Sequence, residues 1–301
     1  MGLGGEWSAD PFQSAHLRQA DQVIHSALDA GINVFDHADI YTLGKAEAVF
    51  GEVLKASPHL RDRMIVQSKC AIRFEDEDGP KRYDFSPEWI THSVEQSLTR
   101  LNTEYLDLLL LHRPDPLMDA EAVGKTLSNL NAQGKVRHIG VSNMNHHQIA
   151  FLQQFTDLPI IANQLEMSLT FRDWVEDGMT TGSVHNRDSG YAPGTLEYCM
   201  RNNVQIQAWG SLAQGRLSGS TPANQAEQQA AELVSQLADK YSATREAIVL
   251  GWLMRHPANI QPVIGTTNPD RISACAKACD ITLSRGDWYQ LLETVRGTEL
   301  P

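Results

Sequence analysis

Four side chains of this sequence are of the types that move protons: Asp36 and Tyr41 in "FDHADIY", Lys69 in "IVQSKC", and His112 at the close of "LDLLLLH". Lys69 sits inside an apolar run, so its ammonium is expected to be buried, and a buried ammonium needs a counter-charge. Asp36 can supply it if the two runs lie side by side. A purely structural ion pair between strand ends is the rival reading of that couple. Tyr41 adds chemistry to it. A phenol titrates at about 10 in water, and an adjacent ammonium favours the phenolate, which is expected to draw the pKa toward neutrality. Such a phenol can give a proton to an oxygen that is gaining negative charge. His112 can orient that oxygen or share the proton, although a lone histidine there would read as a satisfied rim residue.

For these groups to meet, the runs that carry them must be neighbouring strands. Short apolar or β-branched runs occur at 32–36, 64–70, 106–112, 136–142, 160–166, 204–210 and 261–265. Their lengths and flanking turn residues favour strands over helix pieces. Helical patterns lie between them, at 14–30, at 45–55, and after Ser86-Pro87-Glu88, an N-cap followed by proline at the first helical position. A sustained strand–helix alternation means a parallel sheet, doubly wound or closed. The unit count and the length favour one (β/α)8 barrel over residues 1–301, a fold of roughly 250 residues before insertions. A barrel places its chemistry at the C-terminal strand ends. Those ends read Asp36 and Tyr41, Lys69, His112, Ser142 with Asn143, Gln164, Trp209, and Gly265 with Thr266. The segment 168–193 departs from the rhythm as a long polar connection, a place where function often resides.

Composition narrows the function classes. The 301 residues are 42% hydrophobic and carry a formal net charge of −12, which argues against nucleic acid or an anionic membrane surface as a partner. No stretch approaches the roughly 18 apolar residues of a membrane span, and the start lacks the layout of a secretory signal. Cys70, Cys199, Cys275 and Cys279 are too few and scattered for a disulfide framework, so a reducing cytoplasm is expected. Cys275 and Cys279 lie four apart in a helical pattern and read as small apolar helix residues. A metal reading of "HADIY" with "LHRPD" fails because His37 and Asp39 alternate with the inward positions, while metal sites need convergent ligands.

"FDHADIY", "QSK", "YLDLLLLHRPDP" and "GKVRHIGVSN", in this order, resemble the aldo-keto reductase superfamily over essentially the whole chain. The resemblance implies NADPH-dependent reduction of a small-molecule carbonyl. It implies Asp36, Tyr41, Lys69 and His112 as the catalytic four, with Tyr41 the general acid. Ser142, Asn143 and Gln164 would hold the nicotinamide carboxamide, with Trp209 stacked on its ring. "GSLAQGRL", including Gly210, Ser211, Leu212, Gln214, Gly215 and Arg216, would drape over the pyrophosphate. Gly265, Thr266, Thr267 and Arg271 would meet the adenosine 2′-phosphate. The chain departs from the family at Gly265, where a lysine is frequent, and at Ala274-Cys275, where Glu-Asn is common; Arg271 keeps NADPH favoured with a weaker grip.

The superfamily also includes redox-sensing regulatory subunits of ion channels, so a nicotinamide-binding subunit with little turnover is the alternative to an enzyme. The N-terminus raises a further expectation. Only Met1 to Gly5 precede Glu6 and Trp7, too few and too glycine-rich for a good first strand. At most a strand stub is expected there, with exposed edges at 32–36 and 261–265 and poor solubility or activity, as for a shortened reading frame. Trp7 is a candidate to line the substrate pocket.

Overall fold

The computed structural model describes residues 2–183 and 190–301. The chain divides into two compact units, Met1–Asn163 and Gln164–Pro301. In the first, α1 (Ser14–Asp29) turns Ala20, Ile24 and Ala27 inward. Then come β1 (Val34–Asp36), α2 (Lys45–Ala56), β2 (Ile65–Cys70), a small hairpin of β3 (Ile72–Arg73) and β4 (Arg82–Tyr83), α3 (Pro87–Leu101), β5 (Leu106–Leu111), α4 (Ala120–Ala132), β6 (Val136–Ser142) and α5 (His146–Leu152). β1 pairs with β2, β2 with β5 and β5 with β6, all parallel. Every residue of β5 is buried, as a strand covered on both faces requires. Ser86 caps α3 by accepting from the Trp89 amide, with Pro87 at the first turn. β7 (Ile160–Glu166) runs across the boundary between the units.

The second unit holds α6 (Asp173–Thr180), α7 (Thr195–Arg201), β8 (Gln205–Trp209), α8 (Gln225–Tyr241), α9 (Arg245–Met254), β9 (Gln261–Pro262), α10 (Pro269–Ala276) and α11 (Arg285–Arg296). Its core centres on Trp252 and Trp288, stacked at 5.0 Å and 9° between planes. Each indole donates to the other residue's carbonyl, at 3.1 and 2.9 Å. Trp174 of α6 meets Trp252 edge-on at 5.5 Å.

The structure corrects three readings. The segment 168–193 is not loop throughout: α6 forms inside it because Trp174 buries against Trp252 and Arg172 pairs with Glu176 one turn on; residues 184–189 lie outside the described residues. The strand expected over 261–265 is two residues long, since Pro262 has no N–H to give a ladder. Only the Val263 amide continues the pairing, donating to Ala208 O at 2.9 Å. Of the two cysteines read as small apolar helix residues, Cys275 is buried in α10, but α10 ends at Ala276 and leaves Cys279 exposed in the following 3-10 turn. Residues 2–13 contain no strand.

Candidate active site

Successive strand residues face opposite ways, and β2 uses both faces. Gln67 and Lys69 reach Asp36 at the end of β1, while Ser68 between them reaches Glu47 of α2 at 2.5 Å. Lys69 is fully buried, yet its ammonium is saturated. It donates to both Asp36 carboxylate oxygens at 2.7 Å, to the His37 carbonyl at 2.9 Å and to the Tyr41 hydroxyl at 3.0 Å. Gln67 also donates to Asp36. Sequence reasoning missed that glutamine, although its two-residue spacing from Lys69 on a strand was the available signal. His112 follows β5, its amide donating to Cys70 O at 3.0 Å and its ring edge facing Tyr41 at 6.0 Å between centroids. Asn143, in a left-handed conformation at φ 58°, donates to His112 O at 3.3 Å and to Ser142 Oγ at 2.8 Å. The first unit thus gathers Asp36, Tyr41, Lys69, His112, Ser142 and Asn143.

Tyr41 is followed by Thr42, Leu43 and Gly44 at φ 48°, 59° and 85°. Left-handed backbone at non-glycine residues costs roughly 1–3 kcal/mol each and survives only where neighbours impose it. Here Thr42 Oγ1 donates to Leu3 O at 3.0 Å, and Lys45 Nζ donates to Glu6 O and Asp10 O at 2.9 Å, so residues 3–10 strap the loop that carries the phenol.

Burial, the largest influence, pushes the Tyr41 phenol above its ordinary value, and Asp36 adds to it, against the pull of Lys69. The expectation of a phenol drawn toward neutrality is therefore overturned: desolvation of the phenolate outweighs the adjacent ammonium, whose pull Asp36 opposes. Burial would lower Lys69, but Asp36 and Tyr41 together hold it above its usual range. His112 is lowered to about 3, first by burial and then by Lys69, so the ring is neutral; its Nδ1 is buried with no hydrogen-bond partner. A protonated phenol backed by a permanent cation is a poised proton donor.

In the second unit Gln164 donates to Gln207 Oε1 at 3.0 Å, and Gln207 to Gln261 Oε1 at 3.3 Å, an amide ladder along β7, β8 and β9. After Trp209, Gly210 takes φ 68° and Ser211 Oγ donates to Val263 O at 3.0 Å. Leu212 packs on the cluster of Ala247, Leu250 and Cys275. Ala213, Gln214 and Gly215 are all left-handed. A Cβ on Gly215 would fall 2.8 Å from Ser220 Oγ and 3.0 Å from Arg271 Nη2, so the turn closes tightly onto the guanidinium, and at φ 82° glycine takes it without strain. A turn and a cation so apposed fit a phosphate-bearing group. Arg216 is engaged elsewhere, with Glu227 at 2.8 Å and Thr170 at 3.2 Å. Thr266 Oγ1 accepts from the Asn268 amide, Thr267 follows it in the same connection, and Gly265 has nothing within 4 Å of where a Cβ would stand.

The profile of the Aldo/keto reductase family matches residues 1–295, and the chain belongs to that family as an oxidoreductase. A 6-dehydroglucose reductase of Agrobacterium fabrum is 36% identical over 92% of this chain and 88% of its own length. Among solved structures, the glycerol dehydrogenase of Gluconobacter oxydans superposes with a TM-score of 0.80 at 22% identity, covering 99% of this chain and 90% of that one. An aldo/keto reductase of Klebsiella pneumoniae in complex with NADP and acetate gives 0.74 at 23% identity, covering 96% and 89%. The structural likenesses establish the fold, the (β/α)8 barrel class expected above. No helix of the described residues is long and apolar enough to cross a membrane.

Proposed function

We propose that the protein reduces the carbonyl of a small molecule with NADPH as a single barrel domain of the reducing cytoplasm. The observation that carries this reading is the saturated Lys69 ammonium, held between Asp36 and the Tyr41 hydroxyl. Tyr41 is the general acid: as the carbonyl oxygen gains charge it takes the phenolic proton, and Lys69, 3.0 Å away, stabilises the phenolate left behind. Asp36 keeps Lys69 charged, and neutral His112 orients the carbonyl oxygen. When bound, NADPH supplies the hydride. Ser142, Asn143 and Gln164 would hold its carboxamide, and Trp209 would stack on its ring. The backbone of Gly210, Ser211, Leu212, Gln214, Gly215 and Arg216 would lie along the pyrophosphate, and Gly265, Thr266, Thr267 and Arg271 would take the 2′-phosphate. The name of the Agrobacterium relative makes an oxidised sugar the first substrate to try.

The test is Tyr41→Phe, which removes only the hydroxyl. Losing a positioned acid costs about 10²–10⁴-fold in rate, so carbonyl reduction should fall by that factor while NADPH affinity stays near wild type. A variant that reduces a panel of sugars, aldehydes, ketones and quinones at the wild-type rate would show that the proton comes from another group. A wild type that binds NADPH tightly and turns over none of the panel would favour a sensing subunit instead.

A further inference from the structure

The Arg271 guanidinium is shared. One edge approaches the turn at Gly215, but its Nε lies 3.4 Å from Glu246 Oε1 in the first turn of α9. The carboxylate is mostly buried, its side chain 14% exposed against 39% for Arg271, so solvent screens it poorly. α9 therefore sets a mostly buried carboxylate beside the guanidinium of the connection. The Cys275 thiol, one turn beyond Arg271, is pushed up to about 12, first by burial and next by Glu246, with Arg271 the lesser, opposing influence.

We propose that Glu246 is a specificity-determining residue for the cofactor: its carboxylate competes with the 2′-phosphate of NADPH for Arg271, so that the chain discriminates between NADPH and NADH less than Arg271 alone would impose. A 2′-phosphate is doubly or nearly doubly charged at neutral pH and must meet Arg271 beside a carboxylate that repels it. A ribose 2′-hydroxyl suffers no such repulsion and can donate a hydrogen bond to a carboxylate. This inference rests on the reading of residues 264–272 as the 2′-phosphate segment.

The test compares wild type with Glu246→Gln, Glu246→Ser and Arg271→Ala. Dissociation constants for NADPH and NADH are read from quenching of tryptophan fluorescence, and those for 2′-phospho-AMP and AMP by calorimetry. Both Glu246 substitutions should raise the ratio of NADH to NADPH dissociation constants about tenfold and tighten 2′-phospho-AMP similarly, with AMP unchanged or weakened. Arg271→Ala should lower the same ratio about tenfold. If Arg271→Ala lowers it and both Glu246 variants, folded as judged by circular dichroism, leave it unchanged or lower it, Glu246 merely buttresses Arg271 and the inference falls while the segment reading stands. If Arg271→Ala weakens both dinucleotides equally, or neither, the segment reading falls and takes the inference with it.

Discussion

Three titrating groups shifted by burial, His37, Asp39 and His112, lie directly after β1, in the loop that carries Tyr41 and directly after β5, and their signs can be worked through at the scale of single residues. His37 and His112 are each lowered to about 3, in both cases first by burial. The folded state keeps both rings neutral, so their contribution is full above about 6.5 and is lost as pH falls toward 3. Asp39 is raised to about 7, first by burial and then by Glu47, and its Oδ1 is buried without a partner. Its contribution has the opposite sense, present at low pH and lost as pH rises through 7. Between about pH 6 and 4.5 the unfolded chain carries close to two protons on these histidines where the folded one carries a single proton on Asp39. Stability should then fall by roughly 1.4 kcal/mol per pH unit. Asp39→Asn removes the opposing group and should steepen that loss to about twice the slope, while raising stability at pH 8. Urea unfolding at pH 4.5, 5.5, 6.5 and 8 measures it, and equal slopes for the two proteins would show that Asp39 is ionised throughout. A second residue-scale expectation concerns Gly265, where a Cβ meets nothing within 4 Å and the backbone is not left-handed. Gly265→Lys places a second cation in the 2′-phosphate segment, and the NADPH dissociation constant should drop about three- to tenfold in a fluorescence titration with NADH unaffected. Equal changes for both would place Gly265 outside that segment.

Among the elements, α2 is the one that supports the loop carrying Tyr41, and its fit depends on close backbone approach. A Cβ on Gly51 would stand 2.0 Å from Arg100 O and 2.7 Å from Leu101 C at the end of α3, both backbone atoms with little freedom to yield. That approach lets Arg100 reach Glu47, which in turn accepts from Ser68 beside Lys69. Gly51→Ala should therefore destabilise by at least the 1–3 kcal/mol typical of overpacking, about that much or more, and lower the melting temperature. Gly178 of α6 provides the contrast: it is exposed, mid-helix, and nothing lies within 4 Å of a Cβ there. Gly178→Ala should stabilise by about 0.5–1 kcal/mol. Opposite responses in paired thermal melts are expected; a neutral Gly51→Ala would mean that α2 and α3 can part without cost.

For the whole chain, a single barrel domain predicts one unfolding transition. Trp89 lies in the first compact unit, and Trp174, Trp252 and Trp288 in the second. Tryptophan fluorescence and far-ultraviolet circular dichroism should trace coincident urea curves. NADPH at 100 times its dissociation constant should shift the whole curve by about 2.7 kcal/mol. Two separated transitions, or a shift confined to one, would mean that the units fold as independent domains.

The order of strands and helices, and the meeting of Asp36, Tyr41, Lys69 and His112, were legible in the sequence because they depend on local chemistry. Apolar runs of strand length survive any packing, and a lysine within "IVQSKC" cannot be buried without an anion, which left Asp36 as its partner. What the sequence could not settle depends on distances between residues far apart along the chain. The direction of the Tyr41 shift is a balance between desolvation and two opposed charges, and only the packed site sets how much each weighs. α6 was hidden because its stability comes from Trp174 against Trp252, 78 residues on by numbering. Gln67 looks like a polar interruption of β2 until Asp36 stands opposite it. Glu246 and Arg271 belong to different helices, and their pairing exists only because α9 and α10 pack so that a carboxylate and a guanidinium come within 3.4 Å.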